Sequence, residues 1–241
     1  MTDGLVIIPT YNEKENIENI IRSVFFLDKD FHVLIVDDGS PDGTGAIVKS
    51  IMMEFDGKLH LEERAGKLGL GTAYIHGFKW ALKKNYSYIF EMDADFSHNP
   101  KDLIHLHHAC EQDGADLAIG SRYIKGVNVV NWPMGRVLLS YCASMYVRFI
   151  TRMPIQDTTA GFKCYKKNVL ETIDLDQIRF MGYAFQIEMK FTAFNLGFKV
   201  VEVPIIFTDR KEGESKMSSN IITEALWGVI QMKWNSFFIK R

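Results

Sequence analysis

Two carboxylates stand two residues apart at the end of a short apolar run in Phe90–Pro100, FEMDADFSHNP. On an extended chain, residues i and i+2 share a face. Asp93 and Asp95 therefore point the same way from the end of a strand expected over Tyr88–Met92. Like charges held close are unfavourable without a cation between or near them. Hard divalent ions, Mg²⁺ or Mn²⁺, take carboxylate oxygens and keep positions open for substrate phosphates. The competing reading is a solvated strand-end turn, with Asp95 or Asn99 capping the helix after Pro100. The pattern alone leaves both open.

Other segments raise the same choice. In VDDGSPDGT (Val36–Thr44), Asp37, Asp38 and Asp42 sit among two glycines and a proline. They are either turn chemistry or a loop that binds a base or ribose, since an acidic group at a strand end can accept a sugar hydroxyl. GKLGLGTA (Gly66–Ala73) has the glycine spacing of a phosphate loop, but Thr72 stands where the lysine is needed, so it fails as one. It reads better as a Gly-rich start to a helix whose N-terminus could face an anion. HLHH holds His105, His107 and His108 in a helical pattern, where only the first and last share a face. These are expected to be surface or boundary histidines. Arg122, Arg136, Arg210 and Lys216 gather in the second half. Single basic residues are usually solvated charge, but arginine in loops and at helix starts suits bidentate phosphate binding.

The elements that must position these groups alternate. β-branched runs at Leu5–Ile8, Val33–Val36, Tyr88–Met92 and Leu117–Ile119 are separated by helical patterns at Glu15–Phe26, Thr44–Phe55, Thr72–Lys84 and Lys101–Gln112. Strands alternating with helices predict a mostly parallel α/β sheet. Its ligand site is then expected beyond the C-terminal strand ends, where PTYNE (Pro9–Glu13), VDDGSPDGT and the DxD would meet. Further on, Trp132–Arg152 and Ala184–Leu196 read as helices. Asp157–Tyr165 reads as a loop entering a short strand, and Lys199–Phe207 as a strand with Pro204 at a bend or edge. No Pro/Ser-rich linker divides the chain, so one domain is expected. The C-terminal segment from Asn220 to Arg241 places Ile221, Ile222, Ala225, Leu226, Val229 and Ile230 on one helical face. It either packs on the core or lies on a membrane with its Trp and basic residues near the headgroups.

Composition sets the outer bounds. Of 241 residues, 47% are hydrophobic and 24% charged, an ordinary globular balance that permits a sizeable core. Lys and Arg number 28 against 30 Asp and Glu, a formal charge of -2 with no basic stripe, which argues against nucleic acid as a partner. Cys110, Cys142 and Cys164 offer neither a disulfide framework nor a CxxC pair and read as reduced thiols. The opening MTDGLVIIPTYNE has no basic leader followed by a long apolar stretch, so a secretory signal is not expected. No run reaches the ~18 uninterrupted apolar residues of a spanning helix.

Taken in order, VIIPTYNEKENI, VDDGSPDGT, GKLGLGTA, MDADFSHNP, GSRY, DTTAGFK, GYAFQIEM and DRKEGESK resemble the dolichyl- or polyprenyl-phosphate mannose synthases, members of glycosyltransferase family 2 with the GT-A nucleotide-sugar fold. The resemblance covers nearly the whole chain. PTYNE, DDGSPDGT and the DxD mark the broad family, while DADFSH, GYAFQIEM and GESK narrow it to the polyprenyl-phosphate group. It implies a single GT-A domain over 1–241, with 217–238 an amphipathic helix that can face a membrane. Pro9, Tyr11, Glu13 and Asp38 would hold base and ribose with Asp37 beside them, and Lys67 joins the substrate-binding set. Asp93 and Asp95 would bind Mg²⁺ or Mn²⁺. Ser97, where some members carry a longer Gln, completes that metal set. Asp95, Arg122, Arg136 and Arg210 would form the catalytic group, with Lys216 near the phosphates. The implied reaction is inverting transfer of mannose from GDP-mannose to a dolichyl or polyprenyl monophosphate. UDP-glucose or another nucleotide sugar is the alternative donor, and a non-catalytic nucleotide-sugar-binding subunit is the reading from another class. The implied setting is the cytoplasmic membrane face, with peripheral attachment or a small membrane-protein partner.

Overall fold

The computed structural model describes residues 3–209 and 219–236. Its frame is a seven-stranded sheet in the order β3-β2-β1-β4-β7-β5-β8. The strands are β1 (Gly4–Thr10), β2 (His32–Asp37), β3 (Leu59–Glu63), β4 (Tyr88–Glu91), β5 (Leu117–Ser121), β7 (Lys163–Lys166) and β8 (Val200–Pro204). All pairings are parallel except those of β7, which runs antiparallel to both β4 and β5. A two-stranded parallel ribbon, β6 (Val129–Val130) with β9 (Phe207–Thr208), stands apart from the sheet.

The period of two along each strand divides the core. Leu5 and Ile7 of β1 face one buried cluster, while Val6 and Ile8 face another. Against the first pack α3 (Leu70–Lys83), α5 (Met134–Thr151), α6 (Lys167–Thr172), α7 (Tyr183–Asn195) and α8 (Ser219–Ser236). The second is covered by α1 (Ile17–Phe25), α2 (Thr44–Ile51) and α4 (Asp102–Glu111). Strands buried on both faces read as continuous apolar runs, which is why β1, β2, β4 and β5 match the expected runs.

Several expectations are corrected. β3 carries the sequence LHLEE and lies at the sheet's edge, so its outer positions are polar and it lacks the apolar run of its neighbours. His107 is not at the surface: it is 2% exposed, with its ring 4.5 Å from that of Tyr88. The glycines of GKLGLGTA serve packing. Gly69 adopts φ +103°, and a Cβ on Gly71 would come within 2.8 Å of both the Phe180 carbonyl and the Phe185 ring. The backbone N–H of Gly71 donates to the Met181 carbonyl at 2.8 Å, which ties that end of α3 to protein. The C-terminal helix does not choose one face. Val229 and Met232 are buried in the core, whereas Leu226, Trp227, Ile230 and Trp234 are exposed. Phe237 and Phe238 lie outside the described residues.

Candidate active site

The C-terminal ends of β1, β2 and β4 meet at one edge, and backbone–side-chain hydrogen bonds join their loops. Asn12 N–H donates to Ser40 Oγ at 2.9 Å, Glu13 N–H to Thr44 Oγ1 at 3.0 Å and Lys14 N–H to Asp42 Oδ2 at 3.1 Å. PTYNE is thus fastened along the loop that follows β2. Asp37 organises that loop: it accepts from Thr10 Oγ1 (2.9 Å), Ser40 N (2.9 Å) and Ser40 Oγ (2.6 Å). Asp38 is committed to Arg64, whose Nε lies 2.6 Å from Oδ1, and its other oxygen accepts from Leu68 N–H at 3.3 Å. The Lys67 ammonium lies over the Tyr11 ring, 5.0 Å from its centroid. Pro9, Tyr11, Glu13, Asp37, Asp38 and Lys67 therefore share one edge, with the two aspartates serving as the struts of the loops.

Asp93, Asp95 and Ser97 line a cavity of about 220 Å³ together with His98, Arg122, Trp132 and Arg136. Phe96 takes a left-handed φ of 57°, a bend that an L side chain rarely adopts. Ser97 N–H closes an Asx turn on Asp95 Oδ1 at 3.1 Å. The Ser97 hydroxyl, in a residue only 3% exposed, is buried and finds no hydrogen-bond partner among the described residues. A buried orphan oxygen beside two carboxylates fits a hard divalent cation, which takes neutral and anionic oxygens alike. Asp93 and Asp95 each have further interactions in the protein. His98 stacks on Phe162 at 4.8 Å, and its Nδ1 accepts from Asp93 N–H at 3.3 Å. Burial pushes its pKa down to about 4.

Two arginines line the same cavity. Arg122 donates to Asp157 from Nε at 2.7 Å and Nη2 at 2.6 Å, and to Thr159 Oγ1 at 2.8 Å. Burial works against the Asp157 carboxylate, but the charge and hydrogen bonds of Arg122 outweigh it and hold its pKa low. Asp157 and Gln156 donate their backbone N–H groups to Glu202 of β8, which pins the loop. Arg136 lies over the Trp132 ring, 4.2 Å from its centroid, and donates to Asp209 Oδ1 at 2.9 Å. The small ribbon links the two sides, since Thr208 N–H donates to the Ser97 carbonyl at 3.2 Å. Arg210 and Lys216 lie outside the described residues.

Leu70, Leu139, Ala143, Tyr146, Val147, Ile187 and Leu226 continue the cavity wall away from the charged groups. Tyr146 OH donates to the Leu226 carbonyl at 2.9 Å, tying α5 to α8. Sequence reasoning assigned no role to Asp157, Lys163 or Gln186, although DTTAGFK and GYAFQIEM contain them. Asp157 is held by Arg122, 35 residues away, and Gln186 by Lys163, 23 residues away, while Lys163 itself pairs with Glu91 on another strand, so no local spacing could signal them.

A family described as glycosyl transferase family 2 matches residues 5–174. The chain is 49% identical over 227 residues to the polyprenol monophosphomannose synthase of Mycolicibacterium smegmatis, covering 94% of this chain and 85% of that protein. It is 44% identical over 230 residues to the undecaprenyl-phosphate mannosyltransferase of Micrococcus luteus, with 93% of each covered. Among solved structures, it superposes on glucosyl-3-phosphoglycerate synthase from Mycobacterium tuberculosis, solved with Mn²⁺, UDP and product, at TM-score 0.68 and 17% identity (100% and 81% covered). The mannosyltransferase PcManGT from Pyrobaculum calidifontis, solved with GDP-Man and Mn²⁺, matches at TM-score 0.58 and 15% identity (98% and 74% covered).

Proposed function

The chain belongs to glycosyl transferase family 2, and from that premise we propose that it moves mannose from GDP-mannose to the phosphate of a polyprenyl or dolichyl chain, with inversion at the anomeric carbon. One observation carries the reading. A single cavity holds Asp93 and Asp95 together with Arg122 and Arg136, and Leu70, Leu139, Val147, Ile187 and Leu226 give it an apolar wall as well. The two relatives at 44–49% identity, named for polyprenol and undecaprenyl-phosphate mannosyl transfer, support the sugar and the lipid. The GDP-Man held by PcManGT supports the donor.

In the reaction a phosphate oxygen of the acceptor forms the new bond to the anomeric carbon as the bond to the donor's diphosphate oxygen breaks. A phosphate monoester has a second pKa of about 6, so its oxygen is already anionic near neutral pH and no strong base is required. This fits a site whose one buried histidine is occupied with the Asp93 backbone. Arg122 and Arg136 receive the acceptor phosphate, the first held rigid by Asp157 and the second steadied on Trp132. PTYNE, Asp38 and Lys67 form the nucleotide edge. Asp93, Asp95 and Ser97 would hold Mg²⁺ or Mn²⁺, whose charge supports the leaving diphosphate.

The apolar wall leads to an exposed apolar surface. Met134, Leu138, Tyr141, Met145 and Phe149 of α5 lie open, as do Trp227, Ile230 and Trp234 of α8. Arg148 and Arg152 accompany them on α5 and its C-cap. Among the described residues no helix is long and apolar enough to cross a membrane. We read this face as one that rests on the bilayer, with the lipid phosphate entering the cavity from it.

The test is transfer of radiolabelled sugar into polyprenyl phosphate, with GDP-mannose and UDP-glucose compared in parallel, with divalent cation and with EDTA. Cation-dependent transfer from GDP-mannose alone is expected. Transfer of glucose without mannose would overturn the donor assignment, and nucleotide binding with no transfer to any lipid phosphate would overturn the enzyme reading.

A further inference from the structure

Ala160, Gly161 and Gln186 are uncharged residues that line the cavity, yet they rest on a buried ionic layer. Glu91 ends β4 two residues before Asp93 and faces Lys163 across the antiparallel β4–β7 pair. Both are 0% exposed, with Lys163 Nζ 3.0 Å from Glu91 Oε1. Tyr165 OH donates to that same oxygen at 2.8 Å. Lys163 also donates to the side-chain oxygen of Gln186, a cavity-lining residue of α7. A buried ion pair is weak evidence for stability, because apolar replacements are often neutral or better. The layer therefore calls for another account.

Hydrogen-bond chemistry supplies one. The Lys163 ammonium, paired to Glu91, has donors only, so the Gln186 amide must turn its oxygen toward it. The amide NH₂ then faces the other way. Nε2 lies 3.5 Å from the point that a Cβ on Gly161 would occupy, at the cavity floor. One turn along α7, Lys190 donates to the Ala160 carbonyl at 2.5 Å and so binds that acceptor within the protein. Two buried lysines thus arrange the floor to offer an N–H while tying down a carbonyl. A cation on the oxygen side also polarises the amide and strengthens its donor end.

We propose that Gln186 is a further substrate-binding residue, donating its amide N–H to a phosphate oxygen at the transfer centre, and that Lys163 is the positioning residue that sets the amide's direction. The inference rests on the glycosyl-transfer reading above. The oxygen belongs to either the acceptor monoester or the donor's diphosphate. Calorimetric titration of the full chain with GDP and with a short prenyl phosphate separates the two. Gln186→Met is expected to weaken one of these affinities about tenfold; because it also leaves a buried Lys163 N–H unpaired, the melting temperature should fall by a few degrees, with the chain still folded at the temperature of the titration. Gln186→Glu, which turns an oxygen toward the ligand, is expected to weaken it further. The Lys163→Met/Gln186→Met double variant should bind no worse than Gln186→Met alone, because the lysine acts through the amide. Should the Lys163 variants fail to fold, Gly161→Ala serves instead: its methyl would sit in ordinary contact over Nε2 and mask it. Both affinities staying within twofold in Gln186→Met and Gly161→Ala would overturn the proposal. These are binding measurements, so failure of the transfer reading would appear separately, as absent turnover with binding intact.

Discussion

Asp157 grips Arg122 along one edge of its guanidinium, accepting from Nε at 2.7 Å and Nη2 at 2.6 Å, and also takes the Arg122 backbone N–H at 2.9 Å. The side chains are 0% and 9% exposed, so the pair is shielded from solvent and ionic screening. Lysine cannot reproduce the two parallel bonds. Arg122→Lys is therefore expected to lower transfer about a hundredfold, measured as initial rate with both substrates saturating. Asp157→Ala should instead cost about 3 to 5 kcal/mol of stability, because it strands a buried cation. Urea unfolding checks this, and a loss below about 1 kcal/mol would contradict the burial argument.

The proposed metal set separates into charge and reach. Asp95→Asn keeps the oxygen that accepts from Ser97 N–H, so the turn should persist and the melting temperature should stay within about 2 °C. Transfer should fall about a hundredfold or more, and Mn²⁺ affinity should fall with it. Ser97→Ala removes a hydroxyl that has no hydrogen-bond partner among the described residues, so it is expected to leave stability equal or higher while weakening Mn²⁺ binding severalfold. Unaltered Mn²⁺ affinity in Ser97→Ala would remove that residue from the ligand set.

Acid should destabilise the fold through His98. Its pKa falls from 6.5 to about 4 on burial, so the unfolded chain binds the proton first and stability drops as pH falls through that window. About 2 kcal/mol is expected to be lost between pH 6.5 and pH 5 in metal-free buffer. His32, His60 and His107 shift in the same direction, each chiefly through burial. His98→Asn, which can still accept from Asp93 N–H, should isolate the His98 share: its stability curve should be flatter by that amount.

The exposed face of α5 gives a surface prediction. Phe149 is 70% exposed, so Phe149→Glu should not change the melting temperature. It should reduce sedimentation with anionic vesicles and slow transfer to membrane-embedded polyprenyl phosphate. Transfer to a short, dispersed prenyl phosphate should be spared, and equal loss on both acceptors would argue against a membrane-facing role.

Much of the edge formed by the ends of β1, β2 and β4 could be read from the chain because its signals are local. β1, β2 and β4 are apolar runs ending in polar strings, and the spacing of Asp93 and Asp95 raises a metal site that the pattern alone leaves open against a strand-end turn. What escaped were relations between distant residues. Nothing near Arg122 reveals that Asp157 holds it, and nothing near Asp38 reveals its tie to Arg64. The segment around Asp157–Tyr165 reads as a loop and a strand, yet neither the slot of that strand nor its direction follows from its own residues. Those are set by pairing with β4 and β5. The Gln186 amide is legible only once Lys163 is seen beneath it.

The reversed direction of β7 has a consequence for how such a molecule can diversify. Parallel strands deliver their exits to the ligand edge, whereas β7 delivers its entrance, so the segment before Lys163 arrives between β4 and β5 from the site itself. The register of β1, β2, β3 and β4 is set among themselves, ahead of this insertion. Loops leading into β7 can therefore change length or chemistry without re-registering the strands that build the proposed nucleotide edge. On the proposed reading, the architecture lets a new acceptor be adopted while the donor edge is inherited intact.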